Sequence, residues 1–132
     1  MRHDGLVLPN VIGFRGGNAP SFTMHYIGGV LSVNRYKTRQ GITKSQVRRW
    51  MNDLAWAAKR LRTIPVPPLR IKVSGYFRDG RSVPDLSNLH KVIGDALKVG
   101  LGVDDRHFRF EDGEVVTGAD EPKIVIEVRR AE

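Results

Sequence analysis

One stretch of the chain, residues 79–112, combines several carboxylates with a lysine at regular spacing. Within it, Asn88, Lys91 and Asp95 are separated by three and four residues, so a helix would carry them along one face. Asp85 stands at the start of that predicted helix. The apolar residues of the same segment fall on another face, and the polar line therefore points away from the core.

A pair of aspartates, Asp104 and Asp105, follows the helix after a glycine-containing loop. Hard divalent cations such as Mg²⁺ prefer oxygen ligands and keep several waters, so two or three carboxylates are enough to hold one. In phosphodiester hydrolysis the cation orients water and neutralises charge on the phosphate, and a lysine adds to that stabilisation. The sequence therefore predicts a metal-dependent nucleic-acid-cutting site, or the remains of one. Its predicted ligands for Mg²⁺, or alternatively Mn²⁺, are Asp85 and Asp105, with Asp104 or Asp95 as a further ligand and Lys91 as the cation.

Each of these residues also has a purely structural interpretation. Asp85 is a good helix N-cap. Lys91 and Asp95 form an i,i+4 pair that, on a surface, is worth only about 0.3–0.5 kcal/mol. The aspartates at 104–105 fit an ordinary loop, and His90 fits a helix surface. Taken singly, the structural interpretations are favoured, whereas the joint spacing favours a site.

The charge is unevenly distributed along the chain. The net charge is +8, and residues 1–83 carry 15 Lys and Arg against 3 Asp and Glu, which leaves 7 against 11 for residues 84–132. A polyanion is drawn to such a basic part by long-range attraction and counterion release. An acidic cluster inside a basic chain suits a nuclease better than a protein that only coats DNA. The polar residues predicted to contact DNA are Asn34, Arg35, Lys37, Arg70, Lys72, Arg78 and Arg81.

Composition limits the class of protein. The chain has 132 residues and no cysteine, which indicates one domain without disulfides or thiolate metal sites. No apolar run approaches the ~20 residues that span a bilayer, and the N-terminus lacks the pattern of a signal peptide. We therefore expect a cytoplasmic protein without a membrane partner.

The elements that must position the site follow from periodicity and from breaker residues. Residues 1–20 are predicted to be an irregular extension, and residues 21–132 the folded domain. An alternating pattern predicts strands, and spacings of three and four predict helices that Pro and Gly terminate. The result is an α+β domain with two helices packed on a small mixed sheet, in the order β-α-β-α-β-β. The predicted elements are a strand over 21–27, a helix from Thr43 or Ser45 to Arg62, a strand over 69–77, a helix from Asp85 to about 99–100, a strand over 108–117 interrupted at Asp112-Gly113, and a strand over 124–128.

The acidic pattern closely resembles the RusA family of Holliday-junction resolvases. The string Asp-x-x-Asn-Leu-x-Lys begins at Asp85, Asp-Ala-Leu follows at Asp95, and Asp-Asp follows at Asp104. The family pattern is approximately Asp-x-Asp-Asn-(Leu)-x-Lys-x-x-x-Asp-(Ala)-Leu, then a glycine-containing loop and Asp-Asp. The segment Ser32-Val33-Asn34-Arg35-Tyr36 is similar to the family's early Ser-x-Asn-x-Tyr, and the element order agrees from about residue 21 to residue 128.

The resemblance implies a homodimeric, Mg²⁺-dependent endonuclease, often encoded by prophages, that nicks four-way DNA junctions symmetrically. By position, Asp85 and Asp105 match the family's first and third catalytic aspartates, and Lys91 matches the lysine needed for cleavage. Asn88 and Asp95 fall on their counterparts in the motif.

The chain departs from the family pattern at Ser87, where the second catalytic aspartate is usual. Serine is neutral and a poorer Mg²⁺ ligand, so the site loses a formal negative charge. Three outcomes stay open: Asp79, Asp95 or Asp104 supplies the missing carboxylate, metal binding is weaker but still productive, or the protein binds junctions without cutting them. A basic protein with an unrelated acidic partner is a further alternative, but it leaves the joint spacing to chance.

Overall fold

The computed structural model describes residues 7–131. Within this part the chain forms a five-stranded sheet and two α-helices. None of these helices has the length and apolar character needed to cross a membrane. The predicted α+β fold, a small mixed sheet with two packed helices in one domain, is confirmed. The bounds in chain order are β1 Val11–Arg15, β2 Ser21–His25, α1 Ser45–Lys59, β3 Leu69–Phe77, α2 His90–Leu101, β4 Phe108–Thr117 and β5 Lys123–Arg130.

The sheet has the strand order β1-β2-β5-β3-β4. The last strand of the chain, β5, lies in the centre, antiparallel to both β2 and β3. β3 and β4 are parallel neighbours, and a parallel pair requires a crossover connection. The segment containing α2 makes that crossover, because α2 lies between the end of β3 and the start of β4 in the chain.

The core lies between the helices and one face of the sheet. On β3, Leu69, Ile71 and Val73 are completely buried, whereas Arg70 and Lys72 between them are partly exposed. Side chains of a strand alternate between the two faces, so the two cations point to the face that the helices leave open. The predicted half-buried strand with a basic second face is thus confirmed.

The two helices pack closely against each other. Trp50 is buried, and its indole N–H donates a hydrogen bond to the His25 carbonyl at 2.7 Å, which fixes α1 on β2. A Cβ on Gly100 of α2 would lie 2.6 Å from the Ala55 carbonyl oxygen and 2.7 Å from the Ala58 Cβ. Only glycine therefore allows this close approach of α1 and α2.

The expectation of an irregular segment before residue 21 is wrong for Val11–Arg15, which forms β1 and pairs antiparallel with β2. Asn10 anchors the same segment, since its backbone and side-chain N–H groups donate to the Asp53 carboxylate at 3.0 and 2.9 Å. Gly13 interrupts the apolar run, so the local pattern is weak and pairing with β2 supplies the strand. Residues 1–6 of the predicted extension lie outside the described residues.

The first helix agrees with the prediction at its start but not in its cap or its end. α1 begins at Ser45, one of the two predicted starts, with Lys44 as its N-cap, and the Lys44 side chain makes no capping bond. The predicted Thr or Ser cap is wrong because the chain stays extended up to this point, where Thr43 forms a β-bridge with Lys37. α1 ends at Lys59 rather than at Arg62.

The second helix starts later than predicted. Residues Leu86–Leu89 form a 3-10 turn that Asp85 caps, and the α-helix begins only at His90. It ends at Leu101, with Gly102 in the left-handed conformation after it. β4 passes without a break through Gly113, where the register with β3 shifts by a bulge. A Cβ there would collide with the Ser74 hydroxyl, so the predicted interruption is instead a position that requires glycine.

Candidate active site

Asp85 is held by its own turn. Its carboxylate accepts hydrogen bonds from the Ser87 backbone N–H at 3.1 Å and from the Ser87 hydroxyl at 2.8 Å. These bonds hold the pKa of the Asp85 carboxyl below its ordinary value, so the exposed group is ionised at neutral pH. The hydroxyl and the backbone N–H of Ser87 are therefore both bonded to Asp85. Asp85 caps the 3-10 turn and also carries the negative charge predicted for the site.

A cavity of about 240 Å³ lies where the first turns of α2 face the start of β4. Three residues of the predicted site, Lys91, Asp95 and Asp105, meet there. Asp85 and Asn88 do not line this cavity. Its walls are formed by His90, Lys91, Gly94, Asp95, Asp105, Phe108 and Phe110.

The Lys91 ammonium lies 3.4 Å from the Asp95 carboxylate, as an i,i+4 ion pair along α2. Both side chains are partly exposed, so the pair contributes little to stability. The ion pair instead fixes the positions of the two side chains, because it holds one positive and one negative group side by side at the wall of the cavity. Any cation that binds Asp95 has to compete with Lys91.

The two consecutive aspartates after α2 have different surroundings. Asp104 caps the 3-10 turn Asp105–His107 and accepts a hydrogen bond from the Arg106 backbone N–H at 3.0 Å. That bond lowers the pKa of the Asp104 carboxyl. Asp105 faces the cavity instead. Of the alternatives for the missing carboxylate, only Asp95 lines the cavity, since Asp104 is a cap and Asp79 caps its own turn by accepting from Arg81 and Ser82.

Sequence reasoning missed the surroundings of His90. Its Nε2 lies 2.7 Å from a carboxylate oxygen of Asp112, and its ring stacks on Phe110 with 4.5 Å between the ring centroids. Sequence reasoning treated His90 as a helix-surface residue, and 22 positions separate it from Asp112. The alternation of Phe108, Phe110 and Asp112 on β4 is the one signal that places these three side chains on the same face.

Some of the basic residues predicted to contact DNA lie beside the acidic segment. The Val33 backbone N–H donates to the Asn88 carbonyl at 2.8 Å, which ties the loop after residue 31 to the 3-10 turn behind Asp85. Asn34, Arg35 and Lys37 are exposed on this loop. Arg78 and Arg81 are likewise exposed, on the turn that leads from β3 to Asp85.

Two other predicted DNA contacts lie elsewhere. Arg70 and Lys72 occupy the open face of the sheet, opposite to the face on which α2 packs. Arg70 forms an ion pair with Glu111 at 3.2 Å, and Lys72 stands next to Glu127 on β5. The structure does not bring these two cations to the cavity.

The carboxylates suit a hydrated divalent cation. Among residues 7–131, no three carboxylate or imidazole groups lie close enough together to enclose a metal ion. Mg²⁺ is usually held through one or two carboxylates, while waters and substrate phosphates complete its coordination. Asp95 and Asp105 supply such oxygen donors in one cavity. The donor set therefore fits a cation shared with a phosphate, and not an enclosed metal centre.

A mixed sheet with two helices on one face, and a lysine and carboxylates around a cavity at its edge, defines a small domain suited to phosphodiester chemistry. The sequence profile of the family described as endodeoxyribonuclease RusA matches residues 31–129, which is three quarters of the chain. The chain belongs to the RusA endodeoxyribonuclease family, and the resemblance read from the acidic motif is confirmed. No curated protein matches the chain.

Proposed function

We propose that the protein is a divalent-metal-dependent endodeoxyribonuclease that resolves four-way (Holliday) DNA junctions by paired phosphodiester hydrolysis. The observation that carries this proposal is the meeting of Lys91, Asp95 and Asp105 around one cavity, inside the region matched by the RusA profile. Lys91 and Asp105 stand on positions that the resemblance assigns to cleavage.

The roles follow from the chemistry of the side chains. Asp105, with Asp95 or Asp85, would hold Mg²⁺ or Mn²⁺, which supplies neutralisation of the charge that builds on the scissile phosphate. The Lys91 ammonium lies beside these carboxylates and stabilises the same charge. The hydroxyl and the backbone N–H of Ser87 hydrogen-bond to Asp85 and lower the pKa of its carboxyl further below neutral pH.

The proposal includes a homodimer that acts on branched DNA in the cytoplasm, with a prophage as the source of the gene. A four-way junction is resolved by cutting two opposed strands, and two copies related by a twofold axis provide two sites. The net charge of +8 supports a DNA partner because each phosphate contact releases counterions.

A second candidate is a junction-binding dimer that no longer cuts. It is favoured by Ser87, which replaces a carboxylate of the family pattern. This candidate retains the basic surface and gives the carboxylates no role in catalysis.

Cleavage of a labelled four-way junction in Mg²⁺ or Mn²⁺ tests the proposal, with Asp105→Asn as the variant. We expect the wild type to nick the junction and the variant to lose about a hundredfold or more in rate, because a charged donor at the reacting phosphate is removed. Junction binding without metal should be kept. Asp120→Asn, on an exposed turn, is the matched control and should cut normally. Tight junction binding without nicking by the wild type in either metal would instead support the second candidate.

A further inference from the structure

The imidazole of His90 is fixed in a single orientation. An ionised carboxylate only accepts hydrogen bonds, so the 2.7 Å contact with Asp112 requires the proton of His90 to be on Nε2. Stacking on Phe110 prevents the ring from turning. In the neutral ring, the second nitrogen, Nδ1, therefore carries a lone pair.

Among residues 7–131, Asp112 is the hydrogen-bond partner of the His90 ring, and no hydrogen bond to the second nitrogen is formed. His90 also lines the cavity together with Asp105. Metal-ligating histidines almost always donate their other ring N–H to a carboxylate, a backbone carbonyl or water. His90 has this arrangement, because it donates one N–H to a carboxylate and keeps the other nitrogen open.

In the chain, His90 lies near Ser87, the residue at which this chain departs from the family pattern. His90 follows Ser87 by three residues, which places the two about one turn apart at the junction of the 3-10 turn and α2. Ser87 stands where the family pattern has a carboxylate, and its hydroxyl is used by Asp85. In the chain, a nitrogen donor thus follows the position of the missing oxygen donor by about one turn.

We propose that His90, oriented by Asp112, is a ligand for the metal ion of this site, and that it shifts the metal preference of the site from Mg²⁺ toward transition-metal dications. This inference rests on the proposed function, because it concerns the same cavity. Imidazole suits Ni²⁺, Zn²⁺ and related ions, whereas carboxylate and water suit Mg²⁺. With His90 and Asp105 as ligands, waters and phosphate oxygens complete the coordination, which agrees with the lack of a three-group cluster in the described part of the chain.

Direct metal binding tests the proposal without any cleavage assay. The full-length protein is titrated with Ni²⁺ and with Mg²⁺ by calorimetry, and the ring nitrogens of its histidines are followed by NMR during addition of Zn²⁺. We expect the Nδ1 signal of His90 to shift while Nε2 keeps its proton. We expect His90→Gln to weaken Ni²⁺ binding about tenfold to a hundredfold and to change Mg²⁺ binding less than threefold. Asp112→Asn should weaken Ni²⁺ binding about tenfold, because the ring loses the acceptor that fixes its tautomer.

The chain provides a matched control. His25 also pairs with a carboxylate, with its Nδ1 3.1 Å from Glu121, but it does not line the cavity. His25→Gln should leave Ni²⁺ binding unchanged. The wild-type NMR titration needs no variant, so it remains informative if His90→Gln loses stability.

The outcomes separate this inference from the proposed function. If the His90 ring signals do not move with Zn²⁺, or His90→Gln binds Ni²⁺ as tightly as the wild type, His90 is not a ligand, and junction cleavage by the wild type would leave the proposed function intact. If His90 binds the metal but no metal supports nicking, the ligand assignment stands and the proposed nuclease activity fails.

Discussion

Ser87 and Asp85 form a hydrogen-bonded pair in which the serine hydroxyl donates to the carboxylate at 2.8 Å. Ser87, the residue that departs from the family pattern, therefore has a structural role at the site. Its hydroxyl and backbone N–H hold the Asp85 carboxylate in place and lower the pKa of that carboxyl, while the charge that an aspartate would add is missing. The two effects act in opposite directions on a bound cation.

We predict that Ser87→Asp increases Mg²⁺ affinity and speeds Mg²⁺-dependent junction nicking, by about tenfold each, because a second carboxylate adds a hard ligand. Calorimetry with Mg²⁺ and single-turnover cleavage measure the two effects. Ser82→Asp is the matched control, since Ser82 makes the same hydroxyl contact with Asp79 at 3.2 Å, outside the cavity. Equal gains in both variants would mean that added negative charge alone is responsible.

Replacement of Lys91 by alanine tests whether this lysine has a structural or a functional role. We predict that Lys91→Ala changes the free energy of unfolding by less than about 1 kcal/mol, because both side chains of its ion pair with Asp95 are partly exposed. Junction cleavage should fall about a hundredfold, because the cation beside the phosphate is lost. Thermal unfolding and cleavage rates are measured together, with Lys98→Ala at the exposed end of α2 as control. A loss of stability without loss of cleavage would assign Lys91 to the fold.

Much of the site could be read from spacing within one segment. Lys91 and Asp95 lie one turn apart on α2 and Asp105 follows after the next loop, and the structure brings these three to one cavity. The contact of His90 with Asp112 could not be read in this way, because it depends on how β4 lies against α2. That placement is decided by the register with β3, which no local pattern encodes.

At the scale of elements, the contact between α1 and α2 positions the site, because α2 carries Lys91 and Asp95 on the side away from this contact. Gly100 makes the contact possible, since a Cβ there would meet the Ala55 carbonyl oxygen at 2.6 Å. The sequence predicted that the helix ends near Gly100, but α2 continues to Leu101. The glycine at position 100 is needed for helix packing and does not end the helix.

We predict that Gly100→Ala destabilises the fold by about 1–3 kcal/mol, because the helices must separate to accommodate the methyl group. The midpoint of denaturant unfolding measures the effect. Gly80→Ala is the matched control, because nothing lies within 4 Å of a Cβ at Gly80 and its backbone conformation is an ordinary one. A neutral result at Gly100 would show that α2 shifts on the sheet, which a change in junction cleavage would then reveal.

The prediction of secondary structure from the sequence was wrong at elements that depend on tertiary contacts rather than on local sequence patterns. The period of α1 and the alternation of β3 and β5 are long enough to be read directly. β1 has only five residues, one of them Gly13, and it depends on its pairing with β2. The 3-10 turn after Asp85 has the same apolar spacing as a helix start, so its tighter winding was not visible in the sequence.

At the scale of the whole molecule, the basic residues are divided between two surfaces. The loop that carries Arg35 and Lys37 is bonded to the turn behind Asp85 through Val33, whereas Arg70 and Lys72 lie on the open face of the sheet. The net charge of +8 alone does not tell which surface contacts the DNA. The fold provides two equally charged sets that can be compared.

We predict that the double variant Arg35→Gln with Lys37→Gln weakens junction binding and lowers the slope of log affinity against log salt by about 2, because about two phosphate contacts are lost. Fluorescence anisotropy at several salt concentrations measures the slope. The double variant Arg70→Gln with Lys72→Gln removes the same charge and should change the slope much less. A larger effect from the second pair would place the DNA on the open face of the sheet.

The central place of β5 has a consequence for synthesis of the protein. β5 follows the other four strands of the sheet in the chain, yet both β2 and β3 form hydrogen bonds with it. Pairing of β2 with β5 joins residues about a hundred positions apart, and such distant contacts make folding slow. The five-stranded sheet therefore forms only after β5 has been synthesised. Until then β2 and β3 each lack one neighbouring strand, so the basic first part of the nascent chain stays accessible to chaperones, to proteases and to polyanions such as RNA.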